Sequence, residues 1–79
     1  MTKLPHLSGR EVIKILAKIG FQTARQKGSH IILVKFVDSQ KKAVVVPDRR
    51  EVDTGTLGEI IRQAGLKREE FIELAGKKR

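Results

Sequence analysis

The sequence predicts a small α+β domain, a three-stranded antiparallel sheet with helices on one face, in the order α-β-β-β-α(-α). Apolar residues recur at helical spacing near each end of the chain, over residues 12–19 and 57–64. Between them lie β-branched runs separated by short polar corners, the pattern of consecutive strands. Both helical segments open on residues that cap free N–H groups and close on a glycine.

In chain order, Ser8 caps a first helix and Glu11, three residues on, completes a capping box, with Leu7 and Val12 spaced for a hydrophobic staple. Val12, Ile13, Ile15, Leu16 and Ile19 form its apolar face, and Gly20 stops it. On the opposite side Arg10, Lys14 and Lys18 fall four residues apart. Like charges at that spacing repel unless something anionic offsets them, so the stripe is either a solvated face or a phosphate contact. Residues 21–25 read as a short strand, and the Gly28-Ser29 corner leads into a longer one over 30–37. Residues 38–42 read as a polar turn, followed by a strand over 43–46 that Pro47 terminates. Asp48 to Val52 form a charged loop, after which Asp53 or Thr54 caps a second helix carrying Leu57, Ile60, Ile61 and Ala64 and ending at Gly65. Leu66 and Phe71 staple a last short helix whose first turn holds Glu69 and Glu70, where carboxylates suit the helix dipole, with Ile72 and Ala75 on the buried side of Phe71. Residues 1–79 are expected to make one domain, with flexible ends at about 1–6 and 76–79.

The second strand has too much apolar surface for one layer of helices. His30, Ile32, Val34 and Phe36 point one way, and Ile31, Leu33, Lys35 and Val37 the other. Helices on one face leave the other exposing aliphatic groups, which marks a protein contact, by self-association or with a dedicated partner. Which face carries His30 depends on register, and a bulge at Gly28 would shift it.

The formal charge is +8, and it is unevenly placed: residues 1–47 hold nine basic residues against Glu11 and Asp38, whereas residues 48–79 hold eight against seven acids. A lopsided basic surface is the footprint of a polyanion partner, the alternative being charge carried only for solubility. The absence of cysteine excludes disulfides and thiolate metal sites. No apolar run approaches the roughly 20 residues of a membrane span, and the first residues hold no hydrophobic signal core, so a cytoplasmic location is expected.

Arg25-Gln26-Lys27-Gly28-Ser29-His30 is the stretch with chemical potential. Imidazole is the side chain that takes up and returns protons near neutral pH, and two cations beside it suit a phosphodiester. A histidine by a turn is also commonly just a polar strand end. No metal and no cofactor are expected, since His6 and His30 lack partners at ligand spacing and Asp48, Glu51 and Asp53 read as loop and cap residues. There is no phosphate-cradling glycine loop and no nucleophilic triad. Phe21, Phe36 and Phe71 are all expected in the core, which argues against a base-stacking platform. Gly55-Thr56-Leu57-Gly58 matches the GXXG loop of KH domains, but Asp53 and Glu59 beside it have the wrong sign for phosphates. The element order is that of a double-stranded-RNA-binding domain, yet the second helix starts with those same acids rather than lysines.

Ile19-Gly20-Phe21, Arg25-Gln26-Lys27-Gly28-Ser29-His30, Val45-Val46-Pro47, and Gly55-Thr56-Leu57 leading to Ile60-Ile61-Arg62-Gln63-Ala64-Gly65 together resemble the HicA-type mRNA interferase toxins, the YcfA-like family of toxin–antitoxin modules. The resemblance runs from about Ser8 to Leu74. It implies a double-stranded-RNA-binding-domain-like fold, ribonuclease activity on mRNA, inhibition by a cognate HicB-type antitoxin, and a catalytic histidine at His30. Where many relatives carry a further histidine after the third strand's Val-Pro, this chain has Asp48 and Arg49, which implies either reduced activity or charge supplied by Arg49 instead. The expected chemistry is metal-independent cleavage of single-stranded RNA. In it His30 is general base, Lys27 and Arg25 stabilise phosphoryl charge, Gly28 permits close approach, and Ser29 orients the ring or the phosphate. Arg10, Lys14 and Lys18 are expected to contact the RNA backbone. The alternative is a non-catalytic RNA-binding module using that same helix stripe, and a third reading is a plain interaction protein.

Overall fold

A computed structural model describes residues 4–76 of the chain. The elements follow the order α1 (Gly9–Ala17), β1 (Gln22–Lys27), β2 (His30–Val37), β3 (Gln40–Pro47), α2 (Thr54–Gln63) and α3 (Arg68–Gly76). The strands form one antiparallel sheet in the order β1-β2-β3, and the helices pack on one side of it. This is the predicted α+β architecture.

Local chemistry explains the helix limits. Ser8 accepts from the Glu11 N–H while the Glu11 side chain accepts from the Ser8 N–H, closing the capping box. Asp53, rather than Thr54, caps α2 by accepting from the Thr56 N–H and hydroxyl. Glu70 reaches back to the Lys67 N–H at the start of α3. Gly20 and Gly65, at φ +103° and +79°, adopt the left-handed conformation that ends α1 and α2.

Ile31 and Leu33 of β2 and Val44 and Val46 of β3 point to the helices, where they meet Val12, Leu16, Leu57, Ile60, Ile61 and Phe71. Each such side chain withdrawn from water stabilises the fold by roughly 1.5–3 kcal/mol, which decides the inward face. Lys35 and Lys42 share it at the far end of the strands, beside the C-terminal ends of α1 and α2. Lys35 Nζ lies 5.7 Å from the centre of the Phe21 ring, and Lys42 lies against Gly65 at the end of α2.

The strands depart from expectation in four places. The first strand is Gln22–Lys27 rather than 21–25, because the two-residue corner Gly28-Ser29 pairs Lys27 directly with His30. Gly28 has φ +60° and Ser29 does not, the pattern of a type II′ turn. The third strand is Gln40–Pro47 rather than 43–46, because Asp38 and Ser39 turn the chain alone, at φ 51° and 70°. The bulge falls at Ala24, not Gly28: Thr23 pairs with Leu33 and Arg25 with Ile32, leaving Ala24 extra. Finally, Phe36 is not in the core but 68 % exposed, since it lies on the uncovered side and β1 ends opposite Val34 before reaching it.

The bulge has a clear use. Residues 21, 23, 25 and 27 of a regular strand would share one face. With Ala24 inserted, Phe21 enters the core while Arg25 and Lys27 stand on the opposite face. Leu4, within the expected flexible end, is buried in the core, and a bridge from Leu7 to Val52 ties the segment down. Residues 1–3 and 77–79 lie outside the described residues. No helix among the described residues is long and apolar enough to cross a membrane.

Candidate functional site

His30 is on the open face of the sheet, the face turned away from the helices. The register sets its neighbours. Lys27 and Pro47 flank it on β1 and β3, and the next row on that face is Arg25, Ile32 and Val45. His30, Lys27 and Arg25 are all exposed. Directly opposed residues in antiparallel strands hold their Cβ atoms about 5 Å apart, so the Lys27 ammonium and the His30 ring can serve one small ligand. The turn between them is braced by Gln26, whose side-chain amide donates to the Gly28 carbonyl at 3.0 Å. Nothing lies within 4 Å of a Cβ built at Gly28, so the backbone there is open to a ligand.

A second set of contacts anchors this end of the sheet from behind. The Asp48 N–H donates to the Ser29 carbonyl at 2.7 Å, and the Gly9 N–H donates to the Arg49 carbonyl at 2.9 Å. A Cβ at Gly9 would collide with the Pro47 carbonyl oxygen, so only glycine lets α1 start this close to β3. Arg10 then meets Asp48 in a two-pronged ion pair, with Nε to Oδ1 and Nη2 to Oδ2 both at 3.2 Å. The hydrogen bond from Arg10 holds the Asp48 carboxyl below its ordinary range, and the Asp48 partnership raises the Arg10 guanidinium in turn.

The predicted site residues therefore fall into two groups. Lys27, Gly28, Ser29, His30 and Arg25 lie together on the β1–β2 hairpin, and Arg10 and Arg49 approach the same end of the sheet from α1 and the loop after β3. Lys14 and Lys18 lie elsewhere, lining the groove between α1 and α3 with Leu7 and Ala75. Lys18 Nζ donates to the Leu74 carbonyl at 2.9 Å near the end of α3, a structural use for that charge. The stripe along α1 is thus divided, with one end facing Asp48 and the other serving α3.

Asp48 is the residue that sequence reasoning undervalued. Its partner Arg10 is 38 positions away, and nothing local distinguishes it from a loop acid. The exposed apolar positions Phe36 and Val45 share His30's face. His6, the other histidine, meets Glu51 at 2.6 Å beside the Leu7–Val52 bridge. Among the described residues no three His, Cys, Asp or Glu side chains gather as a metal site requires.

A comparison with protein families matches residues 9–66 to the family described as HicA toxin of bacterial toxin-antitoxin. The match spans most of the chain and includes the hairpin, β3 and α2. No curated protein matches the sequence closely enough to report. With an α-β-β-β-α-α fold and a family match over most of its length, the chain belongs to the HicA toxins, the toxin component of a toxin–antitoxin module whose partner is a cognate antitoxin.

Proposed function

We propose that this toxin is an endoribonuclease, an mRNA interferase that cleaves single-stranded RNA with His30 as general base. The observation that supports it most is the shared placement of His30, Lys27 and Arg25 on the uncovered side of the hairpin. In this reading His30 takes the proton from a ribose 2′-hydroxyl. The 2′ oxygen bonds to the adjacent phosphorus and the 5′ oxygen departs, leaving a 2′,3′-cyclic phosphate and a 5′-hydroxyl. The departing oxygen takes its proton from Lys27 or from the imidazolium formed at His30. General-base assistance of this kind contributes about 10²–10⁴-fold. Lys27 and Arg25 offset the charge that builds on the phosphoryl oxygens. Ser29 and Gly28 hold the turn that aims the ring, and Arg49 adds charge where many relatives have a second histidine. The reaction needs no metal, so chelators leave the rate unchanged.

The cognate HicB-type antitoxin, in the same reading, covers the open face and shields His30 by bulk rather than by altering the fold. A complex in which His30 still reacts with acylating reagents contradicts that part. The nuclease itself is tested with purified toxin and an unstructured transcript near neutral pH. Wild type yields fragments ending in cyclic phosphate, and His30→Ala does not. Retained RNA affinity with no cleavage by the intact protein would instead indicate a binding module. The division of the α1 stripe between Asp48 and Leu74 weighs against that alternative, which relied on three cations acting together.

A further inference from the structure

Phe36 is the most exposed large apolar side chain among the described residues, at 68 %. The two-residue alternation of β2 puts it on His30's face, six residues and roughly 20 Å along the same strand. Lys41 stands opposite it on β3. Between the two ends the floor is Ile32 and Val34, edged on one side by Lys27, Arg25 and Gln22 of β1 and on the other by Val45 and Ala43 of β3, with Pro47 buried beside His30. No carboxylate occurs in any of these paired positions. The result is an apolar track with cations at its rim and an aromatic ring free at one end.

We propose that Phe36 is a base-stacking subsite for single-stranded RNA whose backbone is gripped at the His30 end. An aromatic face accepts any base, and a neighbouring lysine neutralises the phosphate that comes with it. The paired positions of this face hold cations and no carboxylate, which suits a polyanion laid across them. The separation from His30 corresponds to no more than about six stacked nucleotides at about 3.4 Å each, and fewer in an extended strand. Phe36 is a positioning residue that sets how much RNA must lie on one side of the cleaved bond. The assignment rests on the nuclease reading for its direction along the strand, but its binding readout does not need turnover.

The test uses the His30→Ala chain and unstructured oligoribonucleotides of about four to about twelve residues. Affinity is expected to rise once the strand is long enough to reach Phe36. Phe36→Ala removes that rise, weakening the long oligonucleotides roughly tenfold and leaving the short ones unchanged, while Phe36→Trp preserves it. With His30 intact, Phe36→Ala raises KM for long substrates only. Equal binding of every length by Phe36→Ala and its parent overturns the proposal. So does sedimentation showing a wild-type dimer that Phe36→Ala dissociates without any change in RNA affinity, since the ring then serves a second copy of the chain. Length-dependent, Phe36-dependent binding by a wild type that cleaves nothing removes the nuclease reading and leaves the stacking subsite standing.

Discussion

The two faces of β2 are made of nearly the same residue types and have opposite fates. Ile31 and Leu33 are 3 % and 1 % exposed beneath the helices, whereas Ile32 and Val34 are half-buried and Phe36 is open to solvent. The helices cover one face and bury the core there, and the second face keeps its apolar side chains together with His30, Arg25 and Lys27. Exposed apolar groups beside cations are costly to keep unless something binds them. The covered face carries the fold, and the open face carries the proposed site.

The device that separates the faces offers the sharpest way to break the comparison. Deleting Ala24 restores a regular strand, which forces either Phe21 out of the core or Arg25 and Lys27 onto the helix side. Turning Phe21 outward costs on the order of 3–5 kcal/mol, the range for losing a buried aromatic. Thermal or chemical denaturation of the deletion variant should show a loss of that size. Near-wild-type stability with unchanged hairpin chemistry would mean that the bulge is dispensable.

A smaller effect compares the faces residue by residue. Leu33→Ala should cost about 2–5 kcal/mol, as a large-to-small change in a packed core does. Val34→Ala, one position along and facing the other way, should cost under about 1 kcal/mol because its site is already partly wet. Denaturant midpoints of the two variants measure the gap, and equal losses would show that both faces are packed in the free protein.

Much of this division was legible in the sequence. Ser8 with Glu11, Asp53, Gly20 and Gly65 mark helix ends by local hydrogen bonding, which needs no tertiary context. The surplus of apolar residues on β2 was also visible as a pattern. Three things were not. Ala24 carries no bulge signature, because an alanine is placed there by what its neighbours must face. Phe36 looks like a core residue until the register assigns its parity and β1 stops short of it. Lys41 and Lys42 read as turn residues, yet Lys42 reaches along the inner face to Gly65, and the turn is Asp38 and Ser39 in left-handed conformations. In each case the deciding contact is between strands or layers, beyond what local pattern records.

The smallest expected effect concerns the clasp behind the site. Asp48, held below the ordinary carboxyl range by Arg10, adds stability that is fully present above its unfolded value near pH ~4 and fades as pH falls through the lowered folded value. Wild type and Asp48→Asn should therefore differ slightly in melting temperature at neutral pH and converge in acid. High salt should narrow the difference as well, because the pair is solvent-exposed. No difference at any pH would show that residue 48 matters only through its backbone bond to Ser29, which asparagine keeps.

The most direct measurement pairs wild type with His30→Ala on an unstructured transcript, free of antitoxin and near neutral pH. The ring is exposed, so the substitution should leave stability within about 0.5 kcal/mol. Cleavage by wild type, with a loss of about 10²–10⁴-fold in the variant and undiminished RNA affinity, is the predicted result. A transcript left whole by the folded wild type, or cut equally by both proteins, contradicts it.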